Sequence, residues 1–99
     1  MSTDTIRVVA RITAQPAKVQ ELKSVLLRLI EPSRAEEGCI RYELHQSETD
    51  AADFVFLEEW ANGAAIVAHM QTRHVQEALA KAAALLAAPP DIRRYHVIA

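Results

Sequence analysis

The stretch that decides the fold is Cys39–Trp60, CIRYELHQSETDAADFVFLEEW. Its two ends, Cys39 to Gln46 and Phe54 to Trp60, alternate apolar and polar residues and are rich in aromatic and β-branched side chains, the pattern of half-buried strands. The segment between them, Ser47 to Asp53, is polar and made of turn formers, so the pair reads as a β-hairpin.

Working outward, Ile6 to Thr13 (IRVVARIT) alternates in the same way and reads as a strand. Pro16 suits the first turn of a helix, where its missing N–H costs nothing. Val19, Leu22, Leu26, Leu29 and Ile30 then recur at helical spacing. Pro32 should kink or shorten this helix by removing a backbone donor, and Gly38 supplies a stop. On the other side of the hairpin, Asn62 can cap a short helix to about Met70. Thr72 can cap another running to about Ala87, with Val75, Ala78, Leu79, Ala82 and Leu86 turned inward. Pro89-Pro90 ends it, and Ile92 to Ile98 is expected as a last strand. The order strand, helix, strand, strand, helix, strand predicts an α+β, ferredoxin-like βαββαβ fold with an antiparallel sheet, whose right-handed crossovers put both helical segments on one side.

The 99 residues fit one domain, expected to span 1–99. A net charge of −2 with interspersed signs leaves no basic footprint for nucleic acid. The apolar run Ala82 to Pro90 is too short to span a bilayer, and no secretory h-region opens the chain. With a single cysteine, Cys39, the expectation is a cytoplasmic protein in a reducing compartment.

Alternation puts Ile6, Val8, Ala10, Ile12, Ile40, Tyr42, Leu44, Phe54, Phe56, Ile92 and Ile98 on the sheet face under the helices. The other face collects Val9, Val55, Leu57, Tyr95 and Val97 among Arg7, Arg11, Arg41, Glu43, Glu59 and Arg93. That second face is too apolar for free solvation. A second sheet from an identical chain, related by a two-fold axis, is the expected cover.

Few residues are suited to chemistry. His69 and His74 lie five apart, not at the i, i+4 spacing of a helical metal pair, and no HExxH or cysteine pair exists, so no metal is expected. Glycines for a phosphate or flavin loop are missing, and no other cofactor is expected either. Cys39 follows Glu36 and Glu37, which should raise its thiol pKa and make it a poor nucleophile. Glu58 and Trp60 share the inward face of the third strand. A carboxylate there needs a partner, and His69 is the expected one. One reading is a buried Glu58–His69 pair that only ties helix to sheet, with Trp60 as filler. The other is a small apolar pocket lined by Trp60, His69, His74 and Tyr42, in which a histidine serves as base near neutral pH. His45 is expected on the dimer face and His96 on the helix side of the last strand, each in a structural role.

Three motifs carry a family resemblance. Glu37-Gly38-Cys39-Ile40-Arg41-Tyr42-Glu43-Leu44 is similar to the E-P-G-C-x-x-Y run of antibiotic-biosynthesis-type monooxygenase domains, with Glu37 where many relatives carry proline. Phe54 to Trp60 resembles their third strand. Ala64-Ala65 followed by His69 and His74 resembles their A-x-x-x-H-x-x-x-x-H signature. The resemblance implies a dimeric α+β barrel and a homodimer that oxidises a small quinol- or phenol-type aromatic with O2, without metal or flavin. It implies His69 or His74 as base or proton relay and Trp60 with Tyr42 as ring holders. Phe54, Phe56, Glu58 and Arg94 are the further candidate substrate contacts. Some relatives isomerise a phosphorylated carbonyl compound instead, for which Arg34, Glu36 or Arg94 could hold the polar group. Others cleave haem, but the first strand here lacks their asparagine. A ligand-binding dimer without catalysis is the third alternative.

Overall fold

The structure is a computed structural model and describes residues 5–99. Strand β1, Ile6–Thr13, leads through a single 3₁₀ turn at Pro16–Lys18 into α1, Val19–Leu27, and a short α2, Ile30–Arg34. Pro16 occupies the first turn. The helix breaks at Arg28–Leu29, one turn before Pro32, where a proline N–H is missing and its ring would press on the carbonyl of Arg28. Strands β2, Cys39–Gln46, and β3, Asp53–Trp60, form the expected hairpin. They are followed by α3, Gly63–Met70, α4, Arg73–Ala82, and β4, Asp91–Tyr95.

The strands lie in the order β2-β3-β1-β4, all neighbours antiparallel. This is the ferredoxin-like βαββαβ arrangement. Alternation is cleanest on β3, where Phe54, Phe56, Glu58 and Trp60 are buried. They meet Val8, Ala10 and Ile12 of β1, Leu22 and Leu26 of α1, Ile66 of α3, and Val75, Ala78 and Ala82 of α4 in one core. No helix among the described residues is long and apolar enough to cross a membrane.

Four expectations need correction. Helix α4 stops at Ala82 rather than near Ala87, because the chain beyond it turns to β1. There Gln15 N–H donates to Leu85 O, Ala87 N–H donates to Thr13 O, and Leu86 bridges to Ala14. The backbone groups of this segment are satisfied by the sheet's end instead of by another helical turn. Strand β4 ends at Tyr95, so Ile98 is 97% exposed rather than under the helices, and His96 lies beyond the strand. Ile92 is 46% exposed, because no strand or helix among the described residues flanks the outer edge of β4. Ile40 is exposed as well, since the β2–β3 register shifts between Cys39 and Arg41. Such a bulge turns one side chain out of the alternation.

On the second sheet face Val9, Val55 and Leu57 are partly covered and Tyr95 is exposed. Charges on this side pair within the sheet: Arg7 with Glu59, Arg11 with Asp53, and Arg41 with Glu43. His45 stands opposite Val55 on this face and bonds Glu43 at 3.0 Å.

Gly38 links α2 to β2 with φ +86°, a left-handed conformation that suits glycine. A Cβ there would lie 2.7 Å from the Ala65 Cβ, so α3 rests directly on the bare glycine. Its carbonyl accepts from Ala61 N–H at 2.8 Å, which fixes the turn before β2 against the end of β3.

Candidate functional site

Asn62 caps α3 through Oδ1, which accepts from Ala65 N–H at 2.9 Å. This sets the rotation of the helix so that His69, in its last turn, is buried. Thr72 then acts twice. Its hydroxyl donates to His69 O at 2.7 Å and accepts from Val75 N–H as the cap of α4. His74 therefore starts a new helix, and its ring centroid comes to 6.1 Å from that of His69. The i, i+4 rule for one helix does not govern a pair divided by a helix junction.

Both rings converge on one oxygen of Glu36, in the turn between α2 and β2. His69 Nδ1 and His74 Nε2 each lie 2.7 Å from Glu36 Oε2. A carboxylate oxygen accepts, so each of these ring nitrogens donates. That leaves Nε2 as the lone-pair nitrogen of a neutral His69. The expected Glu58–His69 pair does not form. Glu58 Oε1 instead accepts from Trp60 Nε1–H at 2.8 Å, two residues along the same face of β3. Glu36 is the residue that sequence reasoning undervalued. It lies 33 residues from His69 and 38 from His74, and no local spacing connects them.

The His69 ring is the hub of the aromatic cluster. Its centroid lies 4.7 Å from Trp60 and 5.4 Å from Tyr42, and Tyr42 in turn lies 5.1 Å from Phe56. Beside this cluster is a cavity of about 70 Å³. Tyr42, Glu58 and His69 are the polar side chains in its wall, and the rest is apolar, including Val8, Ala10, Leu26, Phe56 and Val75. Trp60 and Phe54 are buried behind the wall rather than part of it. His74 is not in the wall either. It lines an outer depression with Arg28, Glu77 and Lys81. Glu36 thus bridges a ring facing the cavity and a ring facing outward. Arg94 stands opposite Val8 on exposed β4 and does not reach the cavity. Arg34 is engaged at the Tyr42 carbonyl, 3.1 Å away.

Protonation follows from this burial. Loss of hydration pushes the Glu58 carboxyl up to about 7, with Glu36 adding to the rise and the Trp60 hydrogen bond opposing it. Burial also pushes the Tyr42 phenol well above its ordinary range, helped by the charge of Glu58. Tyr42 therefore remains a hydrogen-bond donor at any physiological pH. The Cys39 thiol is raised, first by burial and then by Glu36, as its acidic neighbour suggested, although Glu37 plays no part. Ser33 Oγ is fully buried and makes no hydrogen bond of regular geometry among the described residues, although it lies near enough to the Tyr42 phenol to oppose the rise of that group.

Residues 5–81 match the family model described as antibiotic biosynthesis monooxygenase. An uncharacterised protein of Synechocystis sp. is 39% identical over 94 residues, which are 95% of this chain and 64% of that protein. This chain therefore spans under two thirds of that relative's length. YcnE of Bacillus subtilis is 40% identical over 85 residues, 86% of this chain and 90% of its own. The crystal structure of PA3566 from Pseudomonas aeruginosa superposes with a TM-score of 0.93 at 33% identity, covering 100% of this chain and 99% of that one. The sheet order, the hairpin bearing Tyr42 and Trp60, and the His69–His74 junction thus sit within a shared framework, and the chain belongs to the antibiotic biosynthesis monooxygenase family.

Proposed function

We propose that this protein is a cofactor-independent monooxygenase that oxidises a small quinol- or phenol-type aromatic with O2. One observation carries the reading. His69 is the one imidazole in the wall of an otherwise apolar cavity, and its Nδ1–H is held by a carboxylate. This is the arrangement of a base whose partner fixes its tautomer and stabilises its protonated form. Family membership supports a monooxygenase-like activity in general.

In this reading the hydroxyl of the substrate gives its proton to His69 Nε2. Glu36 stabilises the imidazolium, and His74, donating to the same oxygen, holds that carboxylate in place. Tyr42, kept protonated, donates to the substrate oxyanion, while Trp60 holds the His69 ring from behind. The electron-rich anion then reduces O2 by one electron, which avoids the spin barrier to direct reaction. A hydroquinone and O2 give a hydroxyquinone and water, so the substrate supplies all the electrons and no external reductant is consumed. A mostly apolar wall suits such an anion and its radical. A cavity of about 70 Å³ is about half the roughly 150 Å³ that holds benzene in an engineered apolar cavity, so a substrate ring enters only as the wall opens.

The protein is proposed to act as a homodimer, with two sheets packed through the face bearing Val9, Val55, Leu57 and Tyr95. The apolar share of that face supports this, and the in-sheet ion pairs reduce the cost of covering its charges. Light scattering at increasing concentration reads the mass directly. The isomerase alternative is less favoured, because no arginine or lysine lines the cavity to hold a phosphate. Ligand binding without catalysis is an outcome of the same test. Oxygen uptake with a panel of hydroquinones is expected above the spontaneous rate, and His69→Ala should lose about 10²–10⁴-fold, the usual worth of a general base. Uptake equal to the spontaneous rate, or equal in His69→Ala and the wild type, would remove the reading.

A further inference from the structure

We propose that Glu36, His69 and His74 form a binding site for one divalent transition-metal ion of the Zn²⁺ and Co²⁺ class. One ligand atom from each of the three lies within 4.8 Å of the others, and Glu36 Oε2 is 2.7 Å from both His69 Nδ1 and His74 Nε2. Two imidazoles and one carboxylate are the donor set of open zinc sites and of other three-ligand transition-metal centres. An ion bound at roughly 2.0–2.2 Å from each atom would hold the three atoms about 3.4 Å apart by simple tetrahedral geometry. The two 2.7 Å contacts to Glu36 therefore need to open by about 0.7 Å, and the two imidazole nitrogens, which lie within 4.8 Å of each other, need to close by up to about 1.4 Å. Rotation of the carboxylate and slight tilts of the rings provide that.

The donors are also preorganised. They come from three separate backbone segments, the turn at Gly38, the end of α3 and the start of α4, and the Thr72 hydroxyl fixes the two histidine-bearing segments to each other. An ion has a way in, because His74 is 24% exposed and lines an outer depression of about 110 Å³. Each neutral imidazole moves its proton to its other nitrogen when it ligates. Imidazole nitrogens select borderline ions over Mg²⁺ and Ca²⁺, which prefer oxygen. Protein ligands fill three positions, and the fourth is left for water or another small donor.

The site goes beyond the monooxygenase reading and, where that reading holds, acts against it. The metal takes the His69 Nδ1 and Glu36 Oε2 atoms whose hydrogen bond stabilises the protonated base, so an occupied site lacks that support.

The test is a titration of chelator-treated protein with CoCl2, read by the visible d–d absorption of Co²⁺, and with ZnCl2, read by calorimetry. The expected result is one ion per chain, a Co²⁺ spectrum unlike that of the hexaaqua ion, and a higher melting temperature with metal. His74→Gln should weaken binding by about tenfold or more and reduce the shift in melting temperature. That is at least the loss usual for disturbing even an outer-shell partner of a ligand. His74 is partly exposed in the first turn of α4, so the variant should fold, and its melt without metal checks this. The double variant His45→Gln, His96→Gln, which alters the exposed imidazoles, should bind as the wild type does. A wild-type Co²⁺ spectrum identical to the free ion, or equal binding by His74→Gln, overturns the proposal. No substrate or oxygen enters these measurements, so their failure and a failure to consume oxygen are separate results.

Discussion

Strands β3 and β4 both pair with β1, one on each side, yet they have opposite characters. Every second side chain of β3 is buried, and both its edges are hydrogen-bonded. All five residues of β4 are exposed, and its outer edge has no neighbour among the described residues. The inward face of β3 carries two of the groups that shape the site, Glu58 and Trp60, and a third, Phe56, that walls the cavity. The contrast teaches that strand position, more than composition, decides what a side chain can do. A carboxylate on β3 is forced out of its ordinary protonation range, whereas the arginines of β4 remain in solvent.

The largest effect that could break this contrast is Trp60→Ala. Trp60 is 0% exposed, so the cavity left behind should cost about 3–5 kcal/mol in denaturant unfolding. Ile92→Ala on β4 should cost under about 1 kcal/mol at low concentration, where the edge is solvated. A large loss for Ile92→Ala would mean that β4 is covered in solution.

Next comes the pH dependence of Glu58. Its pKa rises on folding from 4.5 to about 7, so the folded protein holds this proton more tightly than the unfolded chain. The favourable contribution is full below about pH 4.5 and is lost as pH climbs through about 7. The loss by pH 8 is at most about 3 kcal/mol, and Glu58→Gln should remove it. Unfolding curves at pH 5 and pH 8 for both proteins measure this. A wild type whose stability changes with pH no differently from Glu58→Gln would contradict it.

The smallest effect belongs to the helical layer that covers the sheet. Ser33→Ala removes a buried hydroxyl that makes no regular hydrogen bond but lies beside the Tyr42 phenol, and should change stability by less than about 1 kcal/mol. A clear loss would indicate that the hydroxyl has a bond in solution.

Much of this architecture was legible before any coordinates. Periodicity located β1, β2 and β3 within a residue, because their alternation is regular and turn formers bound them. Asn62 and Thr72 marked the helix starts, because a cap is a local chemical requirement. Legibility failed where the deciding partner was distant in sequence. The alanine-rich stretch after Ala82 looks helical on its own, and only the free backbone groups at the end of β1 draw it away. Ile40 alternates correctly but sits at a bulge. Likewise, Glu58 and His69 were correctly placed inside, but which acid meets which base depends on how Gly38 turns the chain. Glu36 stands among polar residues with nothing local to distinguish it.

That glycine has a wider reach than its size suggests. Because α3 rides on its uncovered α-carbon, drift at this single position would be transmitted through the helix to the imidazole at its far end. Evolution would then be expected to guard residue 38 as closely as the histidines, though it contributes no functional group of its own.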